Sequence, residues 1–104
     1  MIRIKVTKRN NVFDKITFRG HANYDEFGKD IVCAASSATI LTSINAILLV
    51  KEKSINVIQN DNNIDITILE EDNITNKLID NMLNSLKSIQ KQYPKNIEII
   101  EEEI

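Results

Sequence analysis

The chain has 104 residues, enough for one domain spanning residues 1–104 and too few for two, and a chain of that size buries roughly two-thirds of the surface its unfolded form exposes. Hydrophobic residues make up 42% and aromatics 5%, with no Trp, so the core must be aliphatic and rich in Ile. With 13 basic and 15 acidic residues and a net charge of -2, it lacks the basic excess of a nucleic-acid binder, and no direct nucleic-acid partner is expected.

Ile2, Ile4 and Val6 alternate with Arg3, Lys5 and Thr7, the period of a half-buried strand. Asn10-Asn11 is a turn signal, and Val12 to Arg19 reads as a second strand, antiparallel to the first across a short hairpin. Gly20 to Lys29 has no periodicity and reads as a loop. Asp30 is placed to cap a helix from about Ile31 to Val50. Its apolar positions (Ile31, Ala34, Ala35, Ala38, Leu41, Ile44, Ala46, Leu48) cover more than one stripe, which predicts a central, largely buried helix. The same stretch holds Cys, Ser, Thr and Asn, reads as too polar for a membrane span, and no membrane partner is expected. No charged leader with an apolar run and a small-residue cleavage site stands at the N-terminus.

Lys51 to Lys53 is a solvated exit from that helix. Ile55 to Gln59 and Ile64 to Leu69 are strands around the turn Asn60-Asp61-Asn62. A second helix runs from about Ile74 to Tyr93, capped by Asp72 or Asn73. Leu78, Ile79, Met82, Leu83, Leu86 and Ile89 form its single apolar face, and Pro94 stands beyond its end. Ile97 to Ile100 is a last short strand, and Glu101 to Glu103 reads as a frayed acidic tail. The expected fold class is α+β: a mostly antiparallel sheet of about five strands packed with two α-helices, in the order ββαββαβ.

The rare residues cluster. Both glycines, the only His and the only Cys lie between Gly20 and Cys33. Spending both glycines on one loop points to special backbone angles or movement there. With Asp30 as N-cap, Cys33 is the third helical residue, where free N–H groups and the helix dipole favour a thiolate. The competing reading is a small apolar core residue, and on position alone the two are evenly balanced. A single Cys excludes an internal disulfide and fits a reducing cytoplasm, the expected location. If Cys33 needs a general base within the subunit, His21 is the only imidazole available. Asp30 serves first as a cap and alternatively orients His21; Asp25 and Glu26 compete for that role or merely solvate the loop. Ser37, one turn after Cys33, either donates into the site or bonds back to the Cys33 carbonyl, with the second reading favoured. The oxyanion donors are expected among the N–H groups at the helix start, that of Cys33 included. Zinc held by Cys33, His21, Asp25 and Asp30 is the weaker alternative, because structural zinc sites draw on several Cys and His ligands. No metal and no cofactor are expected.

The segment Gly20-His21-Ala22-Asn23-Tyr24-Asp25 … Gly28-Lys29-Asp30-Ile31-Val32-Cys33-Ala34-Ala35-Ser36-Ser37-Ala38 resembles the signature of the ribosomal-processing cysteine protease Prp family, G-H-A-x-Y-D … G-x-D-I-V-C-A-A-x-S-A. Asn45 matches a further family Asn, and the length and element order agree over essentially the whole chain. The resemblance implies a Cys–His endopeptidase that removes an N-terminal extension from a large-subunit ribosomal protein. It puts the family's catalytic Cys on Cys33 and its His on His21, and the motif's Asp and Ser on Asp30 and Ser37. It also implies a homodimer and a mobile substrate loop over Ala22 to Lys29, with Gly20, Ala22, Tyr24, Asp25 and Gly28 as its marked positions. The rival expectation is a non-catalytic, ribosome-associated peptide-binding module in which Cys33 is packing.

Overall fold

The structure, a computed structural model of the chain, describes residues 1–22, 24–26 and 29–104. The elements are β1 (Ile2–Arg9), β2 (Val12–Arg19), α1 (Ile31–Val50), β3 (Ile55–Asn60), β4 (Asn63–Ile68), α2 (Asn73–Gln92) and β5 (Ile97–Glu103). That is the expected ββαββαβ order. The strands form one sheet in the order β3-β4-β2-β1-β5, antiparallel except for the β1–β5 pair.

Asparagine supplies the tight turns that glycine usually makes. Asn10 and Asn11 sit at φ 54° and 63°, the paired left-handed residues of a hairpin turn matched to strand twist. The period of two in β1 puts Ile2, Ile4 and Val6 into the core, and in β2 Phe13, Ile16 and Phe18 do the same. Arg3, Lys5 and Lys15 point to the exposed face of the sheet. Both helices contribute to the same core, α2 through Ile79, Met82, Leu83 and Leu86.

Two expectations need correction. The acidic C-terminus is not frayed: Glu101, Glu102 and Glu103 continue β5 in parallel register with Val6, Thr7 and Lys8. Lys87 and Lys5 pair with Glu101 and Glu102 at 3.2 and 3.3 Å, and the Asn11 N–H donates to Glu103 Oε1. Distant cations and a distant turn therefore absorb charges that look solvated locally.

Helix α1 is also not largely buried. Only Val32, Ser36, Ile40, Ile44 and Ile47 are buried. Ala34, Ala35, Ala38, Leu41, Asn45 and Leu49 are exposed, Leu49 at 88%. With helices on one face of a single sheet, nothing among the described residues forms a third layer over that side. By length and composition α1 is apolar enough to cross a membrane, contrary to the expectation from its polar residues. Its buried stripe is nonetheless spent on the protein core.

Candidate active site

At one end of the sheet a crevice of about 120 Å³ opens between the first turns of α1 and the ends of β1, β2 and β4. Ile2, Phe18, Ile40 and Ile64 make its apolar walls, and His21, Cys33, Ser37, Arg19 and Asn62 its polar lining. The fold thus brings together the two residues that the sequence singles out. His21 is exposed, two residues beyond the end of β2. Cys33 is half-buried at the third position of α1 and packs against the core. Among the described residues no hydrogen bond joins imidazole and sulfur, so the pair shares a crevice without being hydrogen-bonded. Candidate catalytic hydrogen bonds are often long before substrate binds.

Gly20 makes this geometry possible. Its φ of +81° is left-handed, and a Cβ there would stand 2.8 Å from the Met1 carbonyl oxygen. Any other residue would be strained and would push against the Met1 carbonyl just before β1. The chain turns at Gly20 as it leaves β2, and His21 is delivered to the crevice.

Asp30 is the N-cap of α1. Its Oδ1 accepts from the Cys33 N–H at 2.9 Å and its Oδ2 from the Tyr24 N–H at 3.0 Å. Burial pushes this carboxyl up, but backbone donors of Cys33, Tyr24, Asp25 and Val32 outweigh it and hold the group below its ordinary value. Each oxygen accepts from a backbone N–H, and among the described residues no hydrogen bond joins Asp30 to His21. The Cys33 N–H donates to the cap, so it is not among the free N–H groups of the helix start from which the oxyanion donors are expected. An N-cap carboxylate accepts from the second or third helical N–H, so this bond follows from the placement of Asp30 and Cys33.

The other marked positions divide. Ser37 is exposed and lines the crevice. Thr39 and Ser43 bond back to carbonyls four residues earlier, but among the described residues no such bond runs from Ser37 to Cys33. The favoured back-bonded reading of Ser37 therefore fails. Ala22 is 1% exposed, so its side chain belongs to the core and not to a substrate surface. Tyr24 is exposed and meets Tyr93 edge to face, with ring centroids 5.2 Å apart. Asp25 Oδ1 accepts from the Glu26 N–H, a local turn contact. Gly28 lies outside the described residues. Among the described residues no three His, Cys, Asp or Glu side chains come together as a metal site would require.

Ser36 escaped the sequence reading. It is fully buried, lines the crevice, and its hydroxyl has no hydrogen-bond partner among the described residues. Its position three residues after Cys33 puts both on one side of α1. That spacing was visible in the sequence; its inward direction was not.

The family model of cysteine protease Prp matches residues 1–98. The ribosomal processing cysteine protease Prp of Staphylococcus aureus (strain Mu50) is 38% identical over 101 residues, covering 94% of each chain. The crystal structure of the S. aureus protease with a covalently linked product peptide superposes with a TM-score of 0.93 at 28% identity, covering 98% of this chain and 100% of the other. The S. aureus protease with a substrate peptide gives 0.86 at 27% identity, with the same coverage. A protein of this fold with Cys33 and His21 on one crevice, so related, is a cysteine peptidase. The chain belongs to the cysteine protease Prp family.

Proposed function

We propose that this enzyme trims the N-terminal extension from a protein of the large ribosomal subunit, using Cys33 as nucleophile and His21 as base. The observation that carries the reading is the shared crevice: the only thiol and the only imidazole of the chain line one apolar cleft. The relative with 38% identity, named a ribosomal processing protease, supports the substrate class, and the S. aureus structures with substrate and product peptides support a peptide ligand. The expected setting is the cytoplasm, where ribosomal proteins are made.

In this mechanism the Cys33 thiol gives its proton to His21, and the sulfur attacks the scissile carbonyl carbon. The tetrahedral intermediate collapses as His21 passes the proton to the leaving amine. Water, deprotonated by His21, then hydrolyses the thioester and frees Cys33. The walls of Ile2, Phe18, Ile40 and Ile64 suit an apolar or aromatic substrate side chain next to the scissile bond.

The enzyme works as a homodimer in this reading, with the uncharged outer face of α1 as the contact. Ala34, Ala38, Leu41, Asn45 and Leu49 follow one another at helical spacing, all exposed and none charged. A two-fold contact sets a patch against its own copy, and an uncharged patch meets itself without like-charge repulsion. The decisive experiment is incubation with the extended ribosomal protein, read by intact mass. Wild type is expected to release the extension, and Cys33→Ala to leave the substrate whole while folding normally. Cleavage by Cys33→Ala, or none by wild type, overturns the reading.

A further inference from the structure

We propose that Asn96, at the junction of α2 and β5, is a positioning residue for His21. The proposal rests on the reading of Cys33 and His21 as the reacting pair. Asn96 lies far from that pair in sequence, yet its side-chain amide donates to the Ala22 carbonyl at 2.9 Å. Ala22 is the residue immediately after His21 and is almost fully buried. The clamp holds the backbone on the C-terminal side of the imidazole. On the other side Gly20 makes the left-handed turn, with no room for a Cβ beside the Met1 carbonyl.

Asn96 is itself immobilised. Its N–H donates to the Tyr93 carbonyl at 3.0 Å, and its carbonyl accepts from the Ile2 N–H at 2.9 Å. The same junction reaches the thiol by a second route. The Tyr93 ring packs edge to face on Tyr24 at 5.2 Å, the Tyr24 N–H donates to Asp30 Oδ2, and Asp30 Oδ1 holds the Cys33 N–H. One corner of the molecule, Tyr93 to Asn96, therefore tethers both halves of the site. The carbonyl of Ala22 needs a donor in any case. What marks the tie as functional is its place beside the imidazole, where a misplacement of about 1 Å can cost about 100-fold in rate.

The test uses the full chain carrying Asn96→Ala or Asn96→Asp; the second keeps the shape and removes the donor. Tyr93→Ala and Tyr93→Phe probe the second tether. Turnover of the extended ribosomal protein is measured together with the alkylation of Cys33 by iodoacetamide across pH. Both Asn96 variants are expected to lose about 10- to 100-fold in kcat with KM changed by less than about 3-fold. Their alkylation profiles should shift toward that of His21→Ala, and Tyr93→Phe should behave as wild type. Folded Asn96 variants with wild-type kcat and alkylation profile, and a lower Tm only, would overturn the proposal and leave Asn96 as a structural residue. If Asn96→Ala does not fold, Asn96→Asp decides by the same two readouts; should that also unfold, a wild-type alkylation profile in Tyr93→Ala counts against the shared tether. An inactive wild type, or an active Cys33→Ala, breaks the reading of the pair and is recognised separately, because neither involves Asn96.

Discussion

Helices α1 and α2 have equal length, and each starts on an aspartate that accepts first-turn N–H groups, Asp30 for Cys33 and Asp72 for Ile74. Each has a polar or sulfur-bearing side chain at its third position, Cys33 in one and Thr75 in the other. From there they diverge. α2 turns a polar side to solvent through Lys77, Asp80, Asn81, Asn84 and Lys87, while α1 has no charged residue at all. Thr75 is fully buried, whereas Cys33 reaches a crevice that it shares with His21. A helix start alone therefore does not make a reactive site; the surroundings that the rest of the fold supplies decide it. α2 turns charged and polar residues to water, whereas α1 keeps an uncharged outer face next to the crevice.

The sharpest way to break this contrast is to remove each cap. Asp30→Ala should cost about 1 kcal/mol of stability, and it also releases Tyr24 and the Cys33 N–H, so peptide cleavage should fall about 10- to 100-fold. Asp72→Ala should lower Tm and leave kcat unchanged, because its carboxylate serves Ile74 and the Lys51 ammonium, at 3.0 Å, and nothing in the crevice. Asp30→Asn separates the two duties. Its amide oxygen still caps the helix, but its NH2 cannot accept from Tyr24, so stability should hold while activity drops. The acid limb of the stability curve gives a second readout. Backbone donors depress the Asp30 carboxyl despite burial, and the Lys51 partner with the Ile74 N–H depresses Asp72. A depressed carboxyl adds stability that is complete above its unfolded value near 3.8 and is lost as pH falls through the lower folded value. Thermal melts from pH 5 downward should therefore show a shallower loss in Asp30→Asn than in wild type.

Next in size is the outer face of α1. Leu41→Glu puts a charge in the middle of the uncharged stripe, and in a two-fold contact each new charge meets its own copy. Sedimentation should show a monomer with an unchanged circular dichroism spectrum. Asn84→Glu, on the solvent side of α2, should leave the association state as it was. A monomeric wild type, or a dimer untouched by Leu41→Glu, removes the proposed face.

These differences also mark where the sequence was readable. α2 was legible because its apolar residues keep one helical stripe, and the hairpins because Asn10-Asn11 and Asn60-Asp61-Asn62 are turn chemistry. Cys33 and His21 were legible because each is the only one of its kind, in a segment that also holds both glycines. α1 was not, because apolar and small residues occur on all its sides, and periodicity cannot tell which face meets the sheet. The strand formed by Glu101 to Glu103 was hidden because Lys5 and Lys87, which pair with two of those carboxylates, lie far off in sequence. Asn96 stayed invisible for the same reason, being 74 residues from the carbonyl it holds.

Ser36 and Thr75 offer the finest test, since each helix carries one fully buried hydroxyl without a partner among the described residues. A buried unpaired hydroxyl has lost water without gaining a hydrogen bond, so removing it is neutral or stabilising by about 1 kcal/mol. Ser36→Ala and Thr75→Val should therefore both melt at or above the wild-type temperature. They should differ in the peptide assay. Ser36 forms part of the crevice wall, and removing its oxygen reshapes the surface against which the incoming side chain packs, so Ser36→Ala should alter KM by a few-fold. Thr75 lines no part of that crevice, and Thr75→Val should leave both kcat and KM alone. A lower Tm in Ser36→Ala would mean that the hydroxyl has a partner within the fold, and its place on the crevice wall would then be packing rather than recognition.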